Sequence, residues 1–135
     1  MQKGENKVTI ATPGGSLALE TELDPALTKA DALSGGVVST VGILPEITRN
    51  VKIKFKLFNE VFGTGKHENV TELKINEMLM LSLNTSITVG KITKVQGDSV
   101  EFSLKIPVVP LTGESIGLAR NIAGHWRLIG FGEII

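Results

Sequence analysis

The chain has 135 residues, of which 41% are hydrophobic and 21% are charged, so it can bury a domain-sized core and is not expected to be disordered. Fourteen basic residues balance fourteen acidic ones, which excludes a global field that attracts nucleic acid or an anionic membrane and leaves only local polyanion sites. The absence of cysteine excludes disulfides, thiolate metal sites and a cysteine nucleophile, and two histidines are too few for a histidine-rich metal cage.

The N-terminal part of the chain is predicted to be a fragment of a domain. Short apolar segments bounded by turn residues predict strands at 7–11, 17–21 and 36–41. Asp24 followed by Pro25 is typical of a helix N-terminus and predicts a short helix or turn over 26–33. Because about three strands cannot cover both faces of a sheet, we predict a partial β-barrel with its linker over residues 1–45, followed by a second domain over 46–135.

The C-terminal part has a strict two-residue period. From residue 51 to 57, apolar side chains alternate with Lys52, Lys54 and Lys56, which is typical of a half-buried strand. Similar segments separated by turn signals predict further strands at 78–83, 87–95, 100–106, 116–120 and 126–134. Short strands at regular intervals favour a small closed antiparallel β-barrel, so the fold class is all-β.

The three lysines of this strand have two interpretations. Their ammonium groups project from one face at a spacing of about 7 Å and can contact phosphates. More often such a row is the solvated face of an outer strand, where lysines prevent edge-to-edge pairing. With five phenylalanines, one tryptophan and no tyrosine, stacking on nucleic-acid bases is not supported. The single tryptophan, Trp126, is expected to be a buried core residue.

Two motif-like segments are interpreted as a turn and a loop. The segment GESIG at 113–117 fits the G-x-S-x-G pattern, but no aspartate follows Ser115, and a nucleophile elbow requires a helix where a strand is predicted. The segment GTGKH at 63–67 lacks the first glycine of a phosphate-binding loop and has His67 in place of the magnesium-binding serine or threonine. No catalytic residue, metal ligand or cofactor site is therefore assigned. No apolar run is long enough to span a bilayer, so we expect a soluble intracellular protein.

Four longer segments resemble a known family. The C-terminal segment IGLARNIAGHWRLIGFG at 116–132 is similar to the end of the gamma subunit of eukaryotic and archaeal translation initiation factor two, where a strand, a tight turn and a W-R-L-I-G-aromatic-G strand close the third domain. Three other segments are similar to the last part of the second domain and the crossing into the third: ATPGG at 11–15, LDPALTKAD at 23–31 and GILPEI at 42–47. The order and spacing of these segments agree over essentially the whole chain.

The resemblance implies a fold like the second and third barrels of elongation factor Tu, and a role in a GTPase that delivers initiator methionyl-tRNA to the small ribosomal subunit. It implies that this chain is not an enzyme and holds no cofactor, because GTP and magnesium belong to a domain upstream of Met1. The implied partners are the alpha and beta subunits of the factor, initiator tRNA, the small ribosomal subunit and an assembly chaperone, in the cytoplasm and without a membrane. In the closing strand it implies structural roles for Trp126, Gly130 and Gly132.

The same resemblance implies a contact for the tRNA end or the alpha subunit on the second-barrel strand. Alternation there places Leu17 and Leu19 on the core face and Ala18, Glu20 and Glu22 on the outer face. Family members carry glycines on that outer face, whereas Glu20 adds bulk and a negative charge towards a polyanion. We therefore expect Glu20 to weaken or reshape the contact.

Two alternatives stay open beside this interpretation. The first is the barrel region of a related tRNA-delivering elongation factor, such as the selenocysteine-specific one, which shares the barrels but fewer of the quoted segments. The second is a free-standing β-barrel binding module unrelated to translation, and an enzyme ranks after both. A phosphate-binding loop encoded in frame upstream of Met1 would separate these readings.

Overall fold

A computed structural model of the protein describes residues 1–3, 6–29, 31–63, 68–83 and 85–135. The chain divides into two compact units, Met1–Leu33 and Ser34–Ile135. Residues 34–47 thus belong structurally with the C-terminal unit, although they precede its first strand. The domain boundary predicted after residue 45 marks where a second barrel would end, which differs from a division by compactness. That boundary stays a prediction.

The N-terminal unit holds three strands of two residues each, β1 (Gln2–Lys3), β2 (Asn6–Lys7) and β3 (Leu17–Ala18), in the order β2-β1-β3. A 3₁₀ turn follows at Pro25–Thr28. The side chain of Asp24 caps this turn by accepting a hydrogen bond from the Ala26 amide at 2.8 Å. The predicted cap is present, but the turn stops well before residue 33 because the backbone becomes extended at its C-cap.

The strand predicted at 36–41 is wrong. No strand forms there, and the side chains of Val38 and Val41 are 87% and 99% exposed. An apolar, β-branched segment becomes a strand only where a neighbour supplies hydrogen bonds and covers its apolar face. Within the described part of the chain, no strand pairs with this segment.

Six longer strands close a β-barrel in the C-terminal unit. They are β4 (Thr48–Leu57), β5 (Met78–Leu83), β6 (Ser86–Gln96), β7 (Ser99–Val108), β8 (Ser115–Ile122) and β9 (His125–Ile134). All neighbours are antiparallel, in the order β4-β7-β6-β5-β8-β9, and β9 pairs back onto β4. The all-β class and the small closed antiparallel barrel are confirmed. The observed strands match the predicted segments, one of them with identical bounds and the rest a few residues longer.

The inside of the barrel is filled by apolar side chains from every strand. Six of the fully buried ones, one from each strand, are Ile53, Leu79, Ile92, Phe102, Leu118 and Ile129. The buried polar side chain is that of Thr88, whose hydroxyl donates to the Ile106 carbonyl and accepts from the Ile106 amide at 3.2 and 3.0 Å. Among the described residues no buried side-chain nitrogen or oxygen lacks a hydrogen-bond partner, so the polar atoms of the core are satisfied.

The closing strand β9 corrects one expectation. Trp126 is 40% exposed on the outside of the barrel, so the prediction that it is a core residue is wrong. The pairing of β8 with β9 shifts register between Leu118 and Ala119, and the two consecutive residues Ile129 and Gly130 of β9 are both buried. This shift changes the phase of the alternation. It leaves Trp126 outside, and the largest fully buried side chain is Phe102 on β7 instead.

Two glycines let β9 approach β4 closely. A Cβ atom on Gly130 would lie 2.5 Å from the carbonyl oxygen of Lys56. One on Gly132 would lie 2.7 Å from the carbonyl oxygen of Lys54 and would also meet the side chain of Ile53. Because backbone atoms cannot yield as a flexible side chain can, larger residues at these positions conflict with the pairing that closes the barrel.

Candidate functional site: the outer surface of the barrel

Because the interior of the barrel is packed with apolar side chains, a functional site must lie on its outer surface. On β4 the side chains of Lys52, Lys54 and Lys56 are exposed and alternate with inward residues, as predicted from the sequence. We call these three residues the lysine row. Lys54 forms an ion pair with Asp98 at 3.2 Å, and both side chains are about two-thirds exposed, at 64% and 66%. Such exposed pairs contribute about 0–1 kcal/mol, so Lys54 can exchange its partner at little cost.

An aromatic cluster continues the lysine row. Phe58 lies two residues beyond Lys56, and its ring contacts Phe62 edge-on, with centroids 5.1 Å apart, and Phe131 at 5.8 Å. Phe131 is the direct strand partner of Lys56 on β9. We call Phe58, Phe62 and Phe131 the phenylalanine trio. Two of its rings are open to solvent, since Phe62 is 63% exposed and Phe131 is 49% exposed.

The barrel surface beside the lysine row is also basic. Lys91 and Lys94 on β6 and Lys105 on β7 are exposed. The guanidinium of Arg49 donates to the carbonyl groups of Leu104 and Lys105, which fixes the start of β4 to β7. The chain has no net charge, so the positive charge on this side of the barrel is a local concentration of lysines.

A partly buried ion pair holds the connection between β4 and β5. The Arg120 guanidinium contacts the Glu77 carboxylate at 2.5 and 3.2 Å, and these side chains are only 14% and 19% exposed. The same guanidinium donates to the carbonyl groups of Thr71 and Glu72 at 3.0 and 3.2 Å. The Glu77 carboxylate also accepts from the amide of Lys74. We call this set of contacts the Arg120 clamp. Its role is structural, because the N–H groups of the Arg120 guanidinium all donate to atoms of this chain.

The motif-like segments show no catalytic arrangement. Residues 112–113 form a turn and Ser115 begins β8, a strand where a nucleophile elbow needs a helix. The phosphate-loop-like segment at 63–67 falls mostly on residues 64–67, which lie outside the described residues. In the described part of the chain, no group of three or more potential ligands is placed to hold a metal ion. The described residues also include no helix with the length and apolar character to cross a membrane.

Comparison with known families assigns the barrel to a family. The family model for initiation factor eIF2 gamma, C terminal, matches residues 49–134, which runs from the start of β4 to the end of β9. The chain belongs to this family. The match spans the whole barrel and more than half of the chain, and it confirms the resemblance seen in the sequence.

Relatives from archaea share the similarity beyond the barrel. The translation initiation factor 2 subunit gamma of Methanococcus aeolicus is 43% identical over 131 residues, and that of Aeropyrum pernix is 43% identical over the same length. The Methanosarcina mazei subunit is 39% identical over 131 residues. Each alignment covers 97% of this chain, whereas the chain spans only about a third of the length of these relatives, 30 to 32%.

The residues predicted on the second-barrel strand lie in the N-terminal unit. Ala18, Glu20 and Glu22 are exposed, but Leu17 and Leu19 are also exposed, at 39% and 52%. The expected division into a core face and an outer face is therefore wrong, because β3 has only two residues. Ala18, Leu19 and Glu20 line a depression of about 300 Å³ together with Met1 and Lys7, and Glu22 does not line it. Their contact with tRNA or the alpha subunit stays a prediction.

Sequence reasoning missed the phenylalanine trio and the Arg120 clamp. One signal was available, since Phe58 continues the period of Lys52, Lys54 and Lys56 along the same strand. The contributions of Phe62 and Phe131 come from a connection and from a strand far away in sequence. The same holds for Arg120 and Glu77, which are 43 residues apart. No local pattern marks such pairs.

Proposed function

We propose that this chain acts as the non-catalytic C-terminal barrel module of a translation initiation factor two gamma subunit. In the longer protein, a GTP-binding domain would supply the nucleotide chemistry, and the whole would deliver initiator methionyl-tRNA to the small ribosomal subunit in the cytoplasm. The alpha and beta subunits and an assembly chaperone are its proposed protein partners. The observation that supports this most strongly is the family match over residues 49–134.

The packed, apolar interior of the barrel supports a binding role over a catalytic one. The barrel interior is apolar and packed, and its buried polar residue, Thr88, is fully hydrogen bonded. Contacts to other domains, subunits or RNA must therefore be made by outer-surface residues. The family match and the extent of the aligned relatives favour this assignment over a selenocysteine-specific elongation factor or a free-standing binding module.

A chimera tests the proposal directly. Residues 1–135 would replace the aligned third of the Methanococcus aeolicus gamma subunit, with which they share 43% identity. We expect the purified chimera to bind GTP and initiator tRNA within a few-fold of the natural subunit. The control is the same chimera with Phe102→Ala, which disrupts the barrel core. A folded chimera that binds GTP but never carries initiator tRNA would contradict the proposed function.

The isolated chain should neither bind nor hydrolyse GTP, because the proposed function assigns nucleotide binding to another domain. Titration calorimetry with GTP and magnesium measures this. Binding tighter than about millimolar, which corresponds to roughly 4 kcal/mol, would show a nucleotide site in this chain and contradict the assignment.

Glu20 is proposed to tune the contact with the tRNA end or with the alpha subunit. Glu20 lines the exposed depression of the N-terminal unit together with Lys7, and its negative charge would offset the attraction of that lysine for a polyanion. One screened, exposed charge contributes about 1 kcal/mol or less, so a several-fold effect is the most to expect. The measurement is initiator-tRNA affinity of the GTP-bound chimera with Glu20 and with Glu20→Gly at two salt concentrations. Unchanged affinity and salt slope would remove this strand from the tRNA contact.

A further inference from the structure

We propose that the outer face of β4 and β9 binds single-stranded RNA, with phosphates on the lysine row and a base against the phenylalanine trio. This goes beyond the proposed function, which concerns the carriage of initiator tRNA and the assembly of subunits. It rests on the relative placement of two surface features that are separate in the sequence and adjacent in the barrel.

The two features form one continuous track. Lys52, Lys54 and Lys56 occupy alternate positions of β4, so neighbouring side chains are about 7 Å apart on one face, and Phe58 directly follows the end of the strand. Phe131 pairs with Lys56 across the β4–β9 interface, so its ring lies beside the last lysine. A strand of RNA that follows β4 would therefore pass from cations directly to aromatic rings.

The exposed rings point to a base as the ligand group. Phe58 packs against both other rings and fixes their positions, while Phe62 and Phe131 remain 63% and 49% exposed. Aromatic rings held rigidly at a surface and flanked by cations are the platform on which single-stranded nucleic acids stack their bases. The five phenylalanines of the chain look too few for such a platform, but the fold gathers three of them at one place.

The charge of this side of the barrel fits a polyanion. Six exposed lysines lie on β4, β6 and β7: Lys52, Lys54, Lys56, Lys91, Lys94 and Lys105. The carboxylates among them belong to Glu101 opposite Lys52, Glu133 opposite Lys54, and Asp98. Six lysines and three carboxylates thus lie on these strands, on β9 and on the β6–β7 connection, and Glu60 lies between Phe58 and Phe62 at the aromatic end. Within the described residues no ion pair involves Lys56, the lysine beside the rings.

Single-stranded RNA fits the track better than a duplex or an acidic peptide. A duplex keeps its base faces stacked inside, so it would use the lysines and leave the rings exposed. An acidic peptide would likewise pair with the lysines, but it brings a flat ring only where its sequence contains an aromatic residue, whereas every nucleotide of an unpaired strand carries a base. Only an unpaired strand offers phosphates and base faces at the same time.

The experiment uses the full chain and a fluorescent oligouridylate of about ten nucleotides, a length within the range bound by one small β-barrel domain. Fluorescence anisotropy at several salt concentrations gives the affinity and its salt slope. Lys56→Ala should weaken binding and lower the slope by about 0.7, the contribution of one phosphate contact on a single strand. Phe131→Leu should weaken binding at least about fivefold, as expected for loss of one stacked base, and leave the salt slope unchanged.

Matched variants and ligands keep the result interpretable. Phe62→Ser repeats the ring test at the more exposed of the two open rings, and circular dichroism checks that the variant is folded. Lys74→Ala and Ile87→Ala, at exposed positions away from the track, should bind like the unaltered chain. Equal binding of a duplex of the same length, or loss of affinity in the lysine variant only, would overturn the inference. Absence of binding would overturn it as well, and the tRNA assay of the chimera would then show independently whether the proposed function stands.

Discussion

The N-terminal unit Met1–Leu33 and the barrel unit Ser34–Ile135 differ in the length of their strands and in whether those strands bury a core. Both contain apolar residues in strand-like patterns, but the strands of the first unit have two residues each, and every residue there whose burial is described is exposed or half-buried. In the second unit, strands of six to eleven residues close on themselves and bury a core. The difference shows that an apolar pattern gains stability only when enough paired strands surround it.

The largest effect should come from the barrel core. Phe102→Ala removes a ring that is 1% exposed and should lower the free energy of unfolding by about 3–5 kcal/mol. Trp126→Ala removes a larger ring that is 40% exposed and should cost only about 1 kcal/mol. Urea denaturation followed by far-ultraviolet circular dichroism measures both variants. A tryptophan variant as unstable as the Phe102 variant would return Trp126 to the core and refute the position of the register shift in β9.

An intermediate effect should come from the Arg120 clamp. Arg120→Met keeps the side-chain stem but leaves the Glu77 carboxylate and two backbone carbonyl groups without their donor. Because the pair is partly buried, we expect a loss of about 2–3 kcal/mol, below the range for a fully buried pair. Unfolding followed by the fluorescence of Trp126, the single tryptophan, reports on the barrel unit.

The matched control for the clamp is Lys54→Met, which breaks the exposed ion pair with Asp98. That pair should contribute less than about 1 kcal/mol, because both groups are well solvated. If the two variants lose the same stability, the burial of the Arg120 pair is not what determines its contribution.

The smallest effect should come from the N-terminal unit. Asp24→Ala removes the cap on the Ala26 amide and should destabilise the local turn by about 1 kcal/mol, with faster hydrogen exchange at that amide. The unfolding midpoint of the barrel should stay unchanged, because the cap lies within the separate compact unit Met1–Leu33. A shift of the barrel midpoint would show that the two units unfold together.

Four features could be predicted from the sequence: the all-β class, the positions of the barrel strands, the outward direction of the lysine row and the family. These features follow from short-range order: a period of two sets which side chains face inwards, and the quoted segments carry the resemblance. The cap at Asp24 was also readable, because it depends on neighbouring residues alone. The strand expected at 36–41 failed because a strand needs a partner, which local sequence cannot supply.

Three features depend on strand pairing and could not be predicted: the exposed position of Trp126, the glycines that permit barrel closure, and the rings beside the lysine row. The register shift between β8 and β9 changes which side chains face outwards, and it depends on pairing between strands. The phenylalanine trio and the Arg120 clamp join residues from distant parts of the chain. Their contacts exist because the barrel closes β9 onto β4 and places β8 beside β5, and closure is a property of all six strands together.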